Sequence, residues 1–173
     1  ISGIGTTKIA ASGRIVGLPD FKKANFDIVI KDFKSSSKDL NQFVPKGTIP
    51  NSIALPAQFG AKGIFKGTIA NFNTNMNVQS SFGNAKIKAT FDQRIKNKEQ
   101  YNAETELENF DLGKFIKNDS VGKITAKATV KGTGFNPKTA NAVGSGTILK
   151  VNFNKYTYQN LVIKGKINNG SFN

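Results

Sequence analysis

The sequence predicts an all-β protein: one long, curled, mostly antiparallel sheet with two short helical segments, near residues 37–44 and 111–117. Two observations predict the sheet. Apolar and polar residues alternate in run after run, as in strands with one face in water, and turn-forming residues separate the runs. A third observation predicts the helices. The pattern Asp-Leu-x-x-Phe-(Val/Ile) occurs twice and places apolar side chains at i, i+3 and i+4 of a helical turn.

The alternating runs define one apolar face of the sheet. In "ANFDIVIKD", Phe26, Ile28 and Ile30 share one side, and "NAKIKATFD" places Ile87 and Phe91 in the same way. The alternation continues along the chain as far as "NLVIKGKI". The large apolar residues predicted to line this face are Phe26, Ile28, Ile30, Met76, Val78, Phe82, Ile87, Phe91, Leu107, Ile124, Val130, Leu149, Val151, Leu161 and Ile163.

The stretches between the runs have the composition of turns and loops. "FGN" at 82–84 predicts a tight hairpin, because Gly83 is free to take a positive φ. We predict longer exposed loops at 93–100 and 135–144. A link with three prolines, from 44 to 60, joins the first helical segment to the next strand.

The two helical segments have the features of one repeated unit. "KDLNQFVPK" carries Leu40 and Phe43, and "NFDLGKFIKND" carries Leu112 and Phe115. A half-buried sheet must cover its apolar face. We therefore predict that these four side chains plug the concave, apolar side of the sheet. The alternative, that the segments are only crossovers between strands, is left open by the sequence.

Polar residues mark the start of both segments. Ser36 lies three residues before Asp39, which is the spacing of a capping box. Asp111 directly precedes Leu112. An acidic side chain at either place favours a helix N-terminus.

The net charge of +14, from 25 Lys and Arg against 11 Asp and Glu, suggests an anionic partner: nucleic acid, lipid headgroups or surface polysaccharide. The basic residues are almost all Lys, whereas proteins that recognise base edges favour Arg. Phe26, Phe82 and Phe91 share a face with aliphatic residues, and the lysines point the other way. This pattern disfavours nucleic acid, and a solvated Lys-rich face that keeps the strands soluble is the simpler interpretation.

Catalytic chemistry has few candidate residues. The chain contains no Cys and no His, which removes the usual zinc ligand sets and the Ser/His and Cys/His nucleophilic pairs. Glu104, Glu106 and Glu108 share one strand face, but their alternation with an apolar face indicates solvated outward residues. We predict no enzymatic activity, no metal and no cofactor.

The apolar face is the stronger functional candidate, because many of its residues are small. Small side chains mixed with Phe, Ile and Leu can leave a trough, which would suit acyl chains. The alternative is an ordinary filled core that includes small residues. The pattern alone favours neither interpretation. The small residues are Ala85, Ala89, Ala103, Ala126, Ala128, Gly144 and Gly146.

Three stretches, "YNAETELENFDLGKFI", "VGKITAKATVKGTGFNPKTANAVGSGTI" and "FNKYTYQNLVIKGKINNGSF", together resemble the TamB/AsmA-like family of diderm bacteria, in particular Bacteroidota-type TamB. The resemblance covers roughly the whole chain. The residues that carry it are Tyr101, Ala103, Asn109 to Gly113, Val130, Gly132, Gly134, Tyr156, Tyr158 and Asn160.

The resemblance implies a periplasmic segment of an inner-membrane-anchored protein. In this family the β-rich body, called a β-taco, forms a U-shaped apolar groove that is thought to carry phospholipids toward the outer membrane. The resemblance also implies an outer-membrane barrel protein as partner, and membrane contact through regions outside residues 1–173. It brings no catalytic residue. A structural scaffold for translocation and assembly of outer-membrane proteins is the alternative function, and polyanion binding by the lysines is a third.

The chain is expected to form a single β-rich domain over residues 1–173, a fragment of a longer protein. It begins at Ile1 without a signal-peptide pattern, and it contains no apolar stretch near the ~20 residues that a membrane helix needs.

In an open, partly hydrated trough, a charged residue would find water. The sequence therefore predicts that Ile124→Asp stays folded but blocks acyl chains.

Overall fold

The fold is all-β, as the sequence predicts: one antiparallel sheet in which the strands follow one another in chain order, with two short helices. A computed structural model describes residues 2–20, 22–43, 53–95, 98–134, 139–169 and 171–172. The strands are β1 Ser2–Ile4, β2 Thr7–Val16, β3 Asn25–Ser36, β4 Gln58–Thr68, β5 Asn71–Ser80, β6 Gly83–Asp92, β7 Gln100–Asp111, β8 Val121–Thr133, β9 Asn141–Phe153, β10 Tyr156–Asn168 and β11 Ser171–Phe172. The helices are α1 Ser37–Phe43 and α2 Leu112–Ile116. None of the described helices is long and apolar enough to cross a bilayer.

The predicted hairpin between β5 and β6 is confirmed. Ser80 pairs with Gly83 across a two-residue turn, and Gly83 has a φ of 128°. A Cβ atom at Gly83 would lie 2.6 Å from the backbone oxygen of Asn109, so both the turn and the close approach of β7 require glycine. The predicted loop at 93–100 lies between β6 and β7 except for Gln100, which is the first residue of β7. The predicted loop at 135–144 is wrong at its end, because residues 141–144 belong to β9. Residues 96–97 and 135–138 of these loops lie outside the described residues. Most of the predicted link at 44–60 lies outside the described residues.

The register separates the two faces of the sheet, because directly opposed residues of antiparallel strands share a face. One row of opposed residues is apolar: Val78, Ala85, Leu107, Ala126, Ile148 and Leu161. The neighbouring row on the other face is polar: Asn77, Lys86, Glu106, Lys127 and Thr147. The alternation seen in the sequence is therefore continuous from strand to strand.

The two helices lie at the same end of the sheet. Helix α1 follows β3 and α2 follows β7, and these strands run in the same direction. Both strands carry two residues opposite a single residue of the next strand: 31–32 face Lys62, and 108–109 face Thr125. Each such bulge is followed by a phenylalanine and then by the helix. The repeated sequence unit is thus also a repeated structural unit.

Both helices begin at a polar cap, but only the Ser36 half of the capping box predicted for α1 is present, because the Asp39 carboxylate binds Thr6 and Thr7. The Asp111 carboxylate accepts a hydrogen bond from the backbone N–H of Lys114, at 3.0 Å. The Ser36 hydroxyl accepts one from the backbone N–H of Asp39, at 3.1 Å. These contacts satisfy backbone donors that have no partner within the first helical turn.

Asp39 also ties the N-terminal hairpin to α1. Its carboxylate accepts hydrogen bonds from the backbone N–H and the hydroxyl of Thr6, at 2.8 and 2.6 Å, and from the hydroxyl of Thr7, at 3.0 Å. The bond from the Thr6 hydroxyl is the main reason why the pKa of Asp39 lies below its ordinary value, since burial acts in the opposite direction. Charged Asp39 therefore holds the β1–β2 turn against the helix.

Gly113 of α2 gives the first prediction. A Cβ atom there would overlap the backbone oxygen of Val121, and the site is buried, so α2 could not keep its place against β8. We expect Gly113→Ala to lower the free energy of unfolding by about 2–3 kcal/mol, measured by urea denaturation. The matched control is Gly165→Ala on β10, where a Cβ would meet nothing within 4 Å. Equal stability of the two variants would show that α2 is not held by this contact.

Asp39 gives the second prediction, for which Asp39→Asn is the variant. Because its pKa is lowered by folding, charged Asp39 stabilises the folded state above about pH 4, and this contribution disappears as the pH falls through the lowered pKa. We expect the variant to be less stable than the original chain near neutral pH, with a difference that shrinks toward about pH 2. Urea denaturation across this range measures it. The exposed Asp119→Asn is the control, and a difference for Asp39→Asn that does not change with pH would contradict the prediction.

Candidate functional site

The apolar face is the candidate site, and the strand register brings its predicted residues together. Met76 and Ile87 are directly opposed, and their row continues through Thr105, Ala128 and Gly146 to Ile163. Except for Leu149, every strand residue predicted to line the apolar face lies on it. These residues are Phe26, Ile28, Ile30, Met76, Val78, Ile87, Phe91, Leu107, Ile124, Val130, Val151, Leu161 and Ile163.

Phe82 and Leu149 are placed differently. Phe82 lies in the β5–β6 turn and meets Phe110 edge to face, with ring centroids 6.4 Å apart. Leu149 lies at a bulge. Ile148 pairs with Ala126 and Lys150 pairs with Thr125, so Leu149 is the extra residue of β9 between them. The extra residue shifts the alternation by one, so Ile148 takes the place on the apolar face, and Leu149 lines a hollow of the other face.

An aromatic row along the apolar face was only half predicted. Phe26, Phe65, Phe72 and Phe91 follow one another across β3 to β6, with successive ring centroids 5.9, 5.0 and 5.3 Å apart. The glycines of "FGAKGIFKG" obscured the alternation at Phe65. Phe72 could have been found by extending the alternation of Met76 and Val78 back by four residues.

Within the described residues, most of the apolar face has no covering layer. Among the described residues, no large side chain is fully buried, and the buried apolar residues are few: Ala24, Ala85, Ile124, Ala126, Ala140 and Val151. Ile163 is 51 % exposed. A sheet packed against a second layer would bury such residues. The filled-core interpretation therefore fails for this face, which is an open apolar surface on a modestly curved sheet. Its closure into a U-shaped groove stays a prediction.

The helical plugs cover one end of the face only. Leu112 packs on the cluster of Ile124, Ala126 and Val151, and the Phe115 ring meets Phe110 at 5.7 Å between centroids. The chain before β4 joins this cover, because the Ala54 backbone N–H donates to the Phe115 oxygen at 2.7 Å. Leu40 is half-buried on α1, and the side chain of Phe43 lies outside the described residues.

The cover formed by α2 changes the result expected for Ile124→Asp. This residue is only 8 % exposed, at the centre of the cluster under α2. A carboxylate there would be buried without a partner, at a cost comparable with the stability of a domain. Ile124→Asp is now expected to unfold the protein, so it is unsuitable as a test of the open face.

The opposite face is polar and carries paired charges. Glu106 lies between two lysines, 2.9 Å from Lys127 and 3.6 Å from Lys86. The hydrogen bond from Lys127 is the main cause of the lowered pKa of Glu106. Two hollows, of about 720 and 520 Å³, lie on this face. No group of residues that could hold a metal ion occurs in the described part of the chain.

Comparison of the chain with protein-family models, with curated proteins and with solved structures finds no match.

Proposed function

We propose that the open apolar face carries phospholipid acyl chains, and that the chain is a segment of a periplasmic, bridge-like lipid transporter. The observation that carries this proposal is the contrast between the two faces. The polar face has ion pairs across its strands, whereas the apolar face is continuous over nine strands and, in the part of the chain that the structure describes, uncovered except near the helices. An acyl chain gains about 0.8 kcal/mol for each CH₂ that it removes from water.

Small residues support the same proposal. Ala103, Gly144 and Gly165 share a row with Val130 and Thr74, so this part of the face has little side-chain relief. A hydrocarbon chain lying across the strands would contact backbone and short side chains there, because the adjoining rows also carry small residues on β8 and β9: Ala128, Gly132, Ala142 and Gly146. Such a low apolar surface can take an acyl chain, and it requires no catalytic group.

The resemblance to the TamB/AsmA-like family supplies the cellular part of the proposal. It implies a periplasmic segment between the inner and outer membranes, with an outer-membrane barrel protein as partner.

The third prediction compares a charge on each face. Ile163→Asp on the apolar face and Val29→Asp on the polar face both alter β-branched residues of similar exposure, 51 % and 44 %. We expect both variants to keep the circular dichroism spectrum of a folded sheet, because both carboxylates reach water. Photo-crosslinking to a phospholipid with an acyl-chain probe should fall roughly tenfold for Ile163→Asp only, since the ion must keep its hydration.

Two results would count against acyl-chain binding. One is undiminished crosslinking of folded Ile163→Asp. The other is an equal loss for Val29→Asp, which would mean that the probe reports charge and not the apolar face.

The scaffold function is the second candidate, and an open sheet edge favours it. Within the described residues, β11 pairs only with Ile167 and Asn168 of β10, so the outer backbone groups from Tyr156 to Lys166 have no strand beside them. Such an edge can accept a strand from a client protein. An unfolded outer-membrane protein should then slow amide hydrogen exchange in β10.

A further inference from the structure

Acidic residues are absent from the last third of the sequence. Residues 120–173 contain eight lysines and neither Asp nor Glu. The acidic residues of the polar face lie further back in the chain, at Asp27, Glu104 and Glu106 among others. The net charge is therefore concentrated in β8, β9 and β10. We call the polar side of these three strands the cationic face. Lys123 lies at the end of this face opposite Asp111, and the other lysines of the face are Lys127, Lys131, Lys150, Lys164 and Lys166.

Most of these charges are not neutralised. Lys127 pairs with Glu106 on β7, at 2.9 Å. In the described part of the chain, no carboxylate lies within ion-pair distance of the four lysines that follow Lys127 on this face. Lys131 and Lys166 are two strands apart in one row, about 10 Å from each other, and Lys164 lies about 7 Å from Lys166 along β10.

Exposed valines lie among the lysines. Val143 is opposed by Lys131 on one side and by Lys166 on the other, and it is 56 % exposed. Val162, also on the cationic face, is 71 % exposed. The remaining positions near them carry small hydroxyl side chains: Thr129, Ser145 and Thr147.

We propose that the cationic face docks on the surface of a bilayer that contains anionic phospholipids. Lysine is a hydrated point charge on a flexible stem, and it suits a fluid layer of phosphates better than a fixed pattern of anions. Each lysine near such a surface strengthens binding about fivefold. The valines can enter the boundary between headgroups and acyl chains, where apolar contact adds to charge attraction.

A soluble polyanion fits this face less well. Single-stranded nucleic acid requires aromatic side chains among the basic ones, and the aromatic rings from Phe26 to Phe91 lie on the opposite face. Exposed Val143 and Val162 would gain nothing from a hydrophilic polymer. Membrane docking here is independent of acyl-chain carriage, because the two use opposite faces.

The test is co-sedimentation with vesicles of phosphatidylcholine alone or with roughly one third phosphatidylglycerol, at about 0.1 M salt. The original chain should sediment with the anionic vesicles only. Lys131→Gln, Lys164→Gln and Lys166→Gln together should weaken binding roughly a hundredfold. Val162→Ser should weaken it several-fold.

A second triple variant is the matched control, with the same change in net charge. Lys62, Lys66 and Lys86 lie on the polar face of β4 and β6, and each has a carboxylate within 3.9 Å. Their replacement by Gln should leave vesicle binding nearly unchanged. Equal weakening by the two triple variants would show that net charge, not the cationic face, attracts the vesicles, and would overturn the proposal.

Two further measurements distinguish this proposal from its alternatives, which are membrane contact through the apolar face and binding of a soluble polyanion. Ile163→Asn, on the apolar face, should retain vesicle binding, and its loss would assign the membrane contact to the apolar face instead. Soluble polyphosphate should bind weakly, and Val162→Ser should leave its affinity unchanged. If polyphosphate binds as tightly as the anionic vesicles do, the cationic face is a polyanion site and the membrane proposal is wrong.

Discussion

Backbone hydrogen bonding between neighbouring strands is the interaction on which this structure depends. A single layer has no second sheet to bury its apolar side chains, and few of the described residues form a true core. Each strand contacts mainly the strands before and after it in the chain. The free energy of unfolding is then close to a sum of the interaction energies between neighbouring strands, as in repeat proteins. The outer strands are expected to open before the central ones. Cross-strand packing, such as the aromatic row from Phe26 to Phe91, adds to each ladder.

The repeated unit of bulge, phenylalanine and helix reinforces this sheet at one end. A bulge places two residues against one, and so leaves room for a strand to turn into a helix without losing its pairing. Helix α2 then covers Ile124, and Asp39 fastens α1 to the first hairpin. Local order is therefore concentrated where the two helices lie, and the rest of the apolar face stays open.

The two faces of the single layer are chemically independent, since a substitution on one leaves the side chains of the other untouched. The apolar face suits hydrocarbon, and the polar face carries ion pairs in its central strands and unneutralised lysines in β8 to β10. An apolar surface that served only as a core would require a cover, and the described residues provide one only beside the helices. Lipid carriage on one face and membrane docking on the other are compatible, because neither uses the residues of the other.

The sequence by itself determined the strand type, the faces and the helix caps. Alternation is a local property of the chain, so it correctly assigned Ile28, Ile87 and Ile163, and the spacing from Ser36 to Asp39 predicted a real cap. Only the tertiary structure decided the rest. The exchange of Leu149 for Ile148 comes from a bulge, which depends on the register with β8. The strand β2, interrupted by Gly13, gains its conformation from pairing with β3 and was not predicted. Ile124 and Ile163 have the same pattern in sequence, yet one lies under α2 and the other in water, because burial depends on what packs above a residue.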